Sequence, residues 1–236
     1  MNFLVILLSV ILIIVIVYMI YTSIYSTTLI SKEVDMKDKI ADINASSLTK
    51  PDAVRYTYNV WIYMDKPIRN ETSTSTQIFN RENDLGLFID GTTSTLSMKL
   101  HRRINTNTSS SSHDMEYQIS NNFPLQKWTL ITISIDNSTI DMYLDGKLVK
   151  SVIDTVGIGG MKHSPDNTSN ISFGIISGTY MSKFSRVLSP SNPQTAWNSY
   201  MEGSGSDKGL ANLVNRYNMN ISLMRDNAVT RSISLF

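Results

Sequence analysis

The hydrophobic pattern changes its period once along the chain, and that change divides it. From Phe3 to Tyr21 the run FLVILLSVILIIVIVYMIY is apolar apart from Ser9 and the tyrosine hydroxyls, and the first charged side chain is Lys32. At ~1.5 Å per residue a helix of that run reaches roughly 28 Å, the hydrocarbon thickness of a bilayer. Its Leu, Ile, Val and Phe residues together favour insertion by roughly 5 to 9 kcal/mol. No basic residue precedes the run, and Thr22-Ser23-Ile24-Tyr25-Ser26 lacks the small-residue pattern of a signal-peptide cleavage site. The pattern therefore predicts a retained single-pass anchor over residues 1–28, built on residues such as Phe3, Leu8, Ile14, Tyr18 and Tyr21. Lys32, Lys37 and Lys39 follow the span, which places the rest of the chain on the cytoplasmic side.

Residues 29–50 are polar and mixed in charge with no sustained apolar face, and read as a spacer ending at Pro51. From there the period becomes two. In 55–65, Tyr56, Tyr58, Val60, Ile62 and Met64 share one face while Trp61 and Tyr63 share the other, which predicts a strand covered on both sides. Further strands are predicted at 76–81, 85–90, 95–101, 116–120, 127–136, 139–144, 147–153, 171–176 and 180–187. Asp145-Gly146 is the two-residue turn of a tight hairpin, because glycine supplies the positive φ. The hydroxyl-rich stretches 72–76 and 106–112 read as loops, and 191–201 as a short helix with Pro193 near its start. A Gly/Ser-rich joint over 203–209 leads to a second hairpin, with strands at 217–224 and 229–236. The expected organisation is thus an anchor (1–28), a spacer (29–50), an antiparallel two-sheet β-sandwich (51–201) and a joint with a C-terminal hairpin (202–236).

Composition narrows the chemistry. The 21 Lys and Arg residues nearly cancel the 20 Asp and Glu, so no overall field draws in nucleic acid. There is no cysteine, which excludes disulfides, thiol catalysis and cysteine-held zinc.

Three ordered blocks resemble the concanavalin A-like, or laminin G-like, jelly-roll superfamily: Tyr56-Thr57-Tyr58-Asn59-Val60-Trp61-Ile62; Trp128 to Ile135 with Tyr143-Leu144-Asp145-Gly146-Lys147; and Arg186-Val187-Leu188-Ser189-Pro190 before Trp197-Asn198-Ser199-Tyr200. The resemblance implies an all-β jelly roll, a fold that hosts lectins, glycosidases and plain binding modules alike. It also implies where a calcium ion would sit, at rim oxygens such as Asp90, Asp145, Asp154, Asp166 and Asn167. However, Gly178-Thr179-Tyr180-Met181-Ser182 lacks the acidic residue the family often carries after that glycine, so no cofactor is expected. The anchor, the cysteine-free sandwich, the segment 197–203 and the terminal hairpin together are similar to membrane-associated structural proteins of large double-stranded DNA viruses with internal membranes.

No catalytic constellation is evident. The nearest approach to the Glu-x-Asp-x-x-Glu strand motif of the superfamily's glycosidases is Asp114-Met115-Glu116, which reads as a loop-edge charge pair, and His101, His113 and His163 stand isolated in sequence. Trp61, Trp128 and Trp197 read as core or packing residues. The function expected is a non-enzymatic, membrane-anchored structural protein, a minor virion component linking an internal membrane to the capsid shell, with lipid and capsid proteins as partners. The alternative is a membrane-displayed carbohydrate-binding module that stacks a glycan on Tyr180, Trp197 or Tyr200.

Overall fold

The computed structural model describes residues 11–17, 28–68, 75–106, 109–153, 165, 167–205, 220–225 and 228–234. Residues 11–17 are helical and exposed, Ile14 among them, and no helix among the described residues is long and apolar enough to cross a membrane. The remainder of the expected anchor, with Phe3, Leu8, Tyr18 and Tyr21, lies outside the described residues.

Two antiparallel sheets pack face to face. The first contains β1 (Thr28–Ile30), β12 (Thr179–Val187), β3 (Arg55–Met64), β8 (Thr129–Asp136), β9 (Thr139–Leu144) and β10 (Lys147–Ile153) in that spatial order, with β2 (Val34–Asp35) also paired to β12. The second runs β11 (Ile171–Phe173), β4 (Ser75–Arg81), β5 (Leu85–Asp90), β6 (Leu96–Thr106), β7 (Ser109–Ser120). Period-two alternation explains the core. Tyr56, Tyr58, Val60, Ile62 and Met64 of β3 and Ile131, Ile133 and Ile135 of β8 meet Leu85, Leu87 and Ile89 of β5 and Leu96, Met98 and Leu100 of β6 between the sheets. Phe184 sits among Tyr58, Phe79 and Phe173, with ring centroids 5.0 to 5.8 Å away. At the β9–β10 turn, Asp145 and Gly146 both take positive φ, as a two-residue hairpin turn requires.

The stretch expected to be a polar spacer is built into the sandwich instead. β1 and β2 extend the first sheet beyond β12, and Met36, Ala45 and Leu48 are buried. Pairing here is backbone to backbone, so a few apolar side chains among many charges suffice to hold it. Arg186 fastens the same stretch: its Nη1 donates to the Thr49 carbonyl at 2.9 Å, its Nη2 to the Lys50 carbonyl at 3.1 Å, and its guanidinium lies 4.8 Å from the Tyr56 ring centre. The serine run expected as a loop is also strand. Residues 109–112 pair with 103–106 in a hairpin extended to Thr106↔Ser109, where each strand satisfies its neighbour's backbone whatever the side-chain composition.

The C-terminal hairpin is present as β13 (Asn220–Arg225) and β14 (Ala228–Ser234), with Arg225 opposite Ala228, so its turn is shorter than the sequence suggests. It forms a two-stranded sheet of its own.

Among the core hydrophobes lies a buried ion pair. Arg81 and Asp84 are fully buried, with Nη1 3.2 Å from Oδ2. Asp84 also accepts hydrogen bonds from the hydroxyls of Tyr56 and, at 3.2 Å, Tyr58, while Arg81 Nε donates to the Ser169 carbonyl at 3.1 Å. Both charges thus enter the interior already partnered.

Candidate functional site

Two surfaces of the sandwich carry concentrated side-chain chemistry. The first is the outer face of the seven-stranded sheet. Here α1 (Pro193–Met201) lies across the strands, capped by Asn192, whose Oδ1 accepts from the Thr195 amide at 2.8 Å. Its entry is fixed by Ser134, whose Oγ accepts from the Ser191 amide at 2.8 Å and donates to the Ser191 carbonyl. Gly146 permits the close approach: a Cβ there would press on the Cα of Trp197 and the Cβ of Tyr200.

This helix brings together two of the three rings proposed for glycan stacking. Tyr200 stacks on Trp61 with centroids 5.7 Å apart and leans on Trp197 at 5.5 Å. Trp197 is 40% exposed. Tyr180 belongs to a separate group on the same face, 6.1 Å from Tyr63, which in turn lies 5.7 Å from Trp128. Trp61 is buried beneath α1 rather than between the sheets, and Trp128 is only half-buried on this outer face. The sequence assigns both to the core because a strand with two apolar faces does not say which face meets the other sheet.

The second surface is the outer face of the five-stranded sheet. Since Leu85, Leu87, Ile89, Leu96, Met98 and Leu100 point inward, the intervening residues Gly86, Phe88, Asp90, Ser97, Lys99 and His101 point out. Toward the β5–β6 turn they border a cleft of about 500 Å³, lined by Ser75, Asp90, Thr93, Thr95, Ser97, Glu116 and Gln118. Asp90 shapes the turn. Its Oδ1 accepts from the amides of Thr92 at 2.7 Å and Thr93 at 3.0 Å, and these bonds, that of Thr93 foremost, hold its carboxyl below the usual aspartate range.

Lys99 sits at the centre of this face. Its Nζ is 3.9 Å from Glu116 Oε2, 3.4 Å from Ser75 Oγ and 4.8 Å from the centre of the Phe88 ring. Gly86 is the residue that lets Phe88 lie flat, because any Cβ there would collide with the Phe88 ring and the Asn80 side chain. The cleft therefore presents carboxylates, hydroxyls and an amide beside one half-exposed aromatic ring.

Farther along the same face, His101 lies with Nδ1 3.0 Å from Asp114 Oδ1 and Nε2 2.8 Å from Asn80 Oδ1. The histidine read as isolated is thus a bridge between β4 and β7, and Asp114 and Glu116 lie on strand β7 rather than at a loop edge. Each carboxylate is committed to a cationic or imidazole partner across the strand. The second imidazole nitrogen, which a serine nucleophile would need, meets an amide oxygen instead.

Of the residues that the calcium expectation singled out, Asp90 closes its turn, and Asp145 accepts from the Leu130 amide at 3.0 Å and pairs with Lys127 at 2.5 Å. Asn167 is exposed, and Asp154 and Asp166 lie outside the described residues. Among the described residues no group of three or more His, Cys, Asp or Glu could hold a metal ion.

Sequence reasoning missed the cleft. The signal available was a polar residue at every outward position of three consecutive strands, broken only by Phe88 beside Gly86.

Comparison with known proteins agrees with this architecture. A family model described as the concanavalin A-like lectin/glucanases superfamily matches residues 36–174, beginning inside the stretch the sequence assigned to a spacer. No curated protein matches significantly. Among solved structures, a tryptophan-to-alanine mutant of HCR/D superposes with a TM-score of 0.52 at 18% identity, over 73% of this chain and 41% of the other. The ligand binding domain of botulinum neurotoxin serotype D, in complex with N-acetylneuraminic acid, gives 0.50 at 14% identity, over 66% and 39%. The chain thus spans about two fifths of those structures, and the likeness is one of fold.

Proposed function

The chain belongs to the concanavalin A-like lectin/glucanases superfamily, and on that premise we propose that it is a non-enzymatic, membrane-tethered binding domain whose ligand is a saccharide held in the cleft of the five-stranded sheet. The observation that carries this reading is the lining of the cleft. A sugar offers alternating hydroxyl donors and acceptors and one weakly apolar face. Asp90, Glu116, Gln118 and the Ser and Thr hydroxyls supply the complementary hydrogen-bond partners, and the Phe88 ring under Lys99 borders the lining and supplies apolar surface beside it. The rings of Tyr180 and Tyr200 are already packed against aromatic neighbours, which makes the opposite sheet the weaker candidate. The apolar run 3–21 provides the tether.

A glycan array probed with the full chain in detergent tests the reading. Binding to at least one saccharide class is expected. Phe88→Ala should weaken it by about tenfold or more, the scale of one lost stacking contact with its neighbouring packing, while Trp197→Ala leaves it unchanged. If Trp197→Ala abolishes binding and Phe88→Ala does not, the site is on the other sheet.

A second reading is favoured by the edge strand β10, where Leu148, Val149 and Ile153 are exposed on the last strand of the seven-stranded sheet. Such an edge can add a strand from another protein. It suits a structural link from membrane to an outer shell, such as a viral capsid, with the domain on the cytoplasmic, shell-facing side. Purified particles should then contain the chain stoichiometrically. Ile153→Lys should release the shell protein while the chain stays in the membrane fraction, and retention of the shell protein would count against this reading.

A further inference from the structure

The charges around the cleft are arranged asymmetrically. Two carboxylates, Asp90 and Glu116, line it, and the ammonium at its border, Lys99, already has Glu116, Ser75 Oγ and the face of Phe88 around it. The nearby Lys150 points its Nζ at the Gln118 backbone carbonyl, 3.1 Å away. Both ammonium groups beside the cleft are thus engaged, Lys99 by a carboxylate and Lys150 by a backbone carbonyl. The cleft does offer acceptor oxygens: the carboxylates of Asp90 and Glu116 line it, and both amide bonds to Asp90 fall on Oδ1. Glu116 is 55% exposed and makes a long ion pair, so it stays in place through its attraction to Lys99 rather than through packing.

We infer that the cleft selects saccharides without acidic groups and turns away those bearing carboxylates, and that Glu116 sets this selection by occupying Lys99. This deepens the saccharide reading above and rests on it. An uncharged sugar hydroxyl donates to Asp90 or Glu116 in a charge-assisted hydrogen bond. A sugar carboxylate at the same place meets two like charges, and it competes with Glu116 for Lys99. Changing Glu116 to Gln keeps the size and an acceptor oxygen but frees the ammonium. The specificity then moves toward acids.

The test uses the full chain in detergent and immobilised oligosaccharide pairs that differ only at C6, such as oligogalactosides against oligogalacturonates and oligoglucosides against oligoglucuronates. The neutral member is expected to bind at least about tenfold more tightly at low salt, since like-charge juxtaposition costs several-fold to many-fold in affinity. The gap should shrink in high salt. E116Q should raise uronate affinity by about fivefold or more while the thermal midpoint stays within about a degree, as expected of an exposed pair. Equal or tighter uronate binding by the wild-type chain overturns the inference, as does an E116Q variant with an unchanged neutral-to-acid ratio. If neither member of any pair binds, the saccharide reading itself fails and the inference goes with it. Binding of neutral sugars without discrimination sinks the selectivity alone.

Discussion

Replacing Asp84 with alanine is expected to destabilise the sandwich by about 3 to 5 kcal/mol, the range for removing one partner of a buried ion pair. Arg81 is fully buried and is held by Asp84 Oδ2 and the Ser169 carbonyl, so loss of the carboxylate leaves a charge in the interior with its main counter-ion gone. The same change strips the acceptor from the Tyr56 and Tyr58 hydroxyls, both in the core between the sheets. Against a typical domain stability of about 5 to 15 kcal/mol the loss is close to the whole margin. Urea unfolding of the full chain in detergent would measure it. Because desolvation of the pair is itself costly, the double change Arg81→Met with Asp84→Leu should recover much of the deficit. A single Asp84→Ala variant less than about 1 kcal/mol below wild type would mean that water reaches the pair.

Alkaline pH is expected to unfold the domain in a window that opens near pH 10. Burial, and next the Asp84 carboxylate, push the Tyr56 hydroxyl well above the ordinary tyrosine range, and the same two causes push up Tyr58. In the unfolded chain both titrate near the usual value of about 10. Below that pH both states hold the phenolic protons, so the contribution of the two hydroxyls is fully present. Above it the unfolded chain releases protons that the folded chain keeps, and stability falls by about 1.4 kcal/mol per pH unit for each tyrosine until the folded-state value is passed. Two tyrosines acting together give about 5 kcal/mol between pH 10 and pH 12. Tyr56→Phe should roughly halve the slope while sacrificing a hydrogen bond at neutral pH. A stability curve flat from pH 9 to pH 12 would contradict the burial of these hydroxyls.

These two effects arise from residues whose pattern is plain but whose partnership is not. Tyr56 and Tyr58 alternate with polar neighbours, so their place in a strand facing a core is readable from period two alone. That Asp84, 26 residues beyond Tyr58, would be their acceptor is not, because it follows from the β4–β5 turn folding over the same end of β3. Arg186 shows the same limit. The Arg-x-Leu-Ser-Pro block points to the family, yet the carbonyls of Thr49 and Lys50 that this arginine grips lie in a segment whose composition says spacer.

Local periodicity and turn chemistry account for the strands from Arg55 onward, the Asp145-Gly146 hairpin, the proline-led helix that carries Tyr200, the all-β class and the family. Each of these follows from a side chain's relation to its immediate neighbours, since alternation, positive φ and capping act within a few residues. Which outward faces lie bare and which are covered depends on long-range packing. It set α1 over Trp61, turned the serine run after Thr106 into paired strand, and drew residues 28–50 into the sandwich, with β1 and β2 in the first sheet and Ile43 bridged to Ile171 of the second. It also assembled the cleft, whose lining comes from β4, β5, the β5–β6 turn, β6 and β7. Those residues are separated by up to 43 positions in the chain and meet only because hydrogen-bonded register places Ser75 opposite Asp90 and Ser97 opposite Gln118.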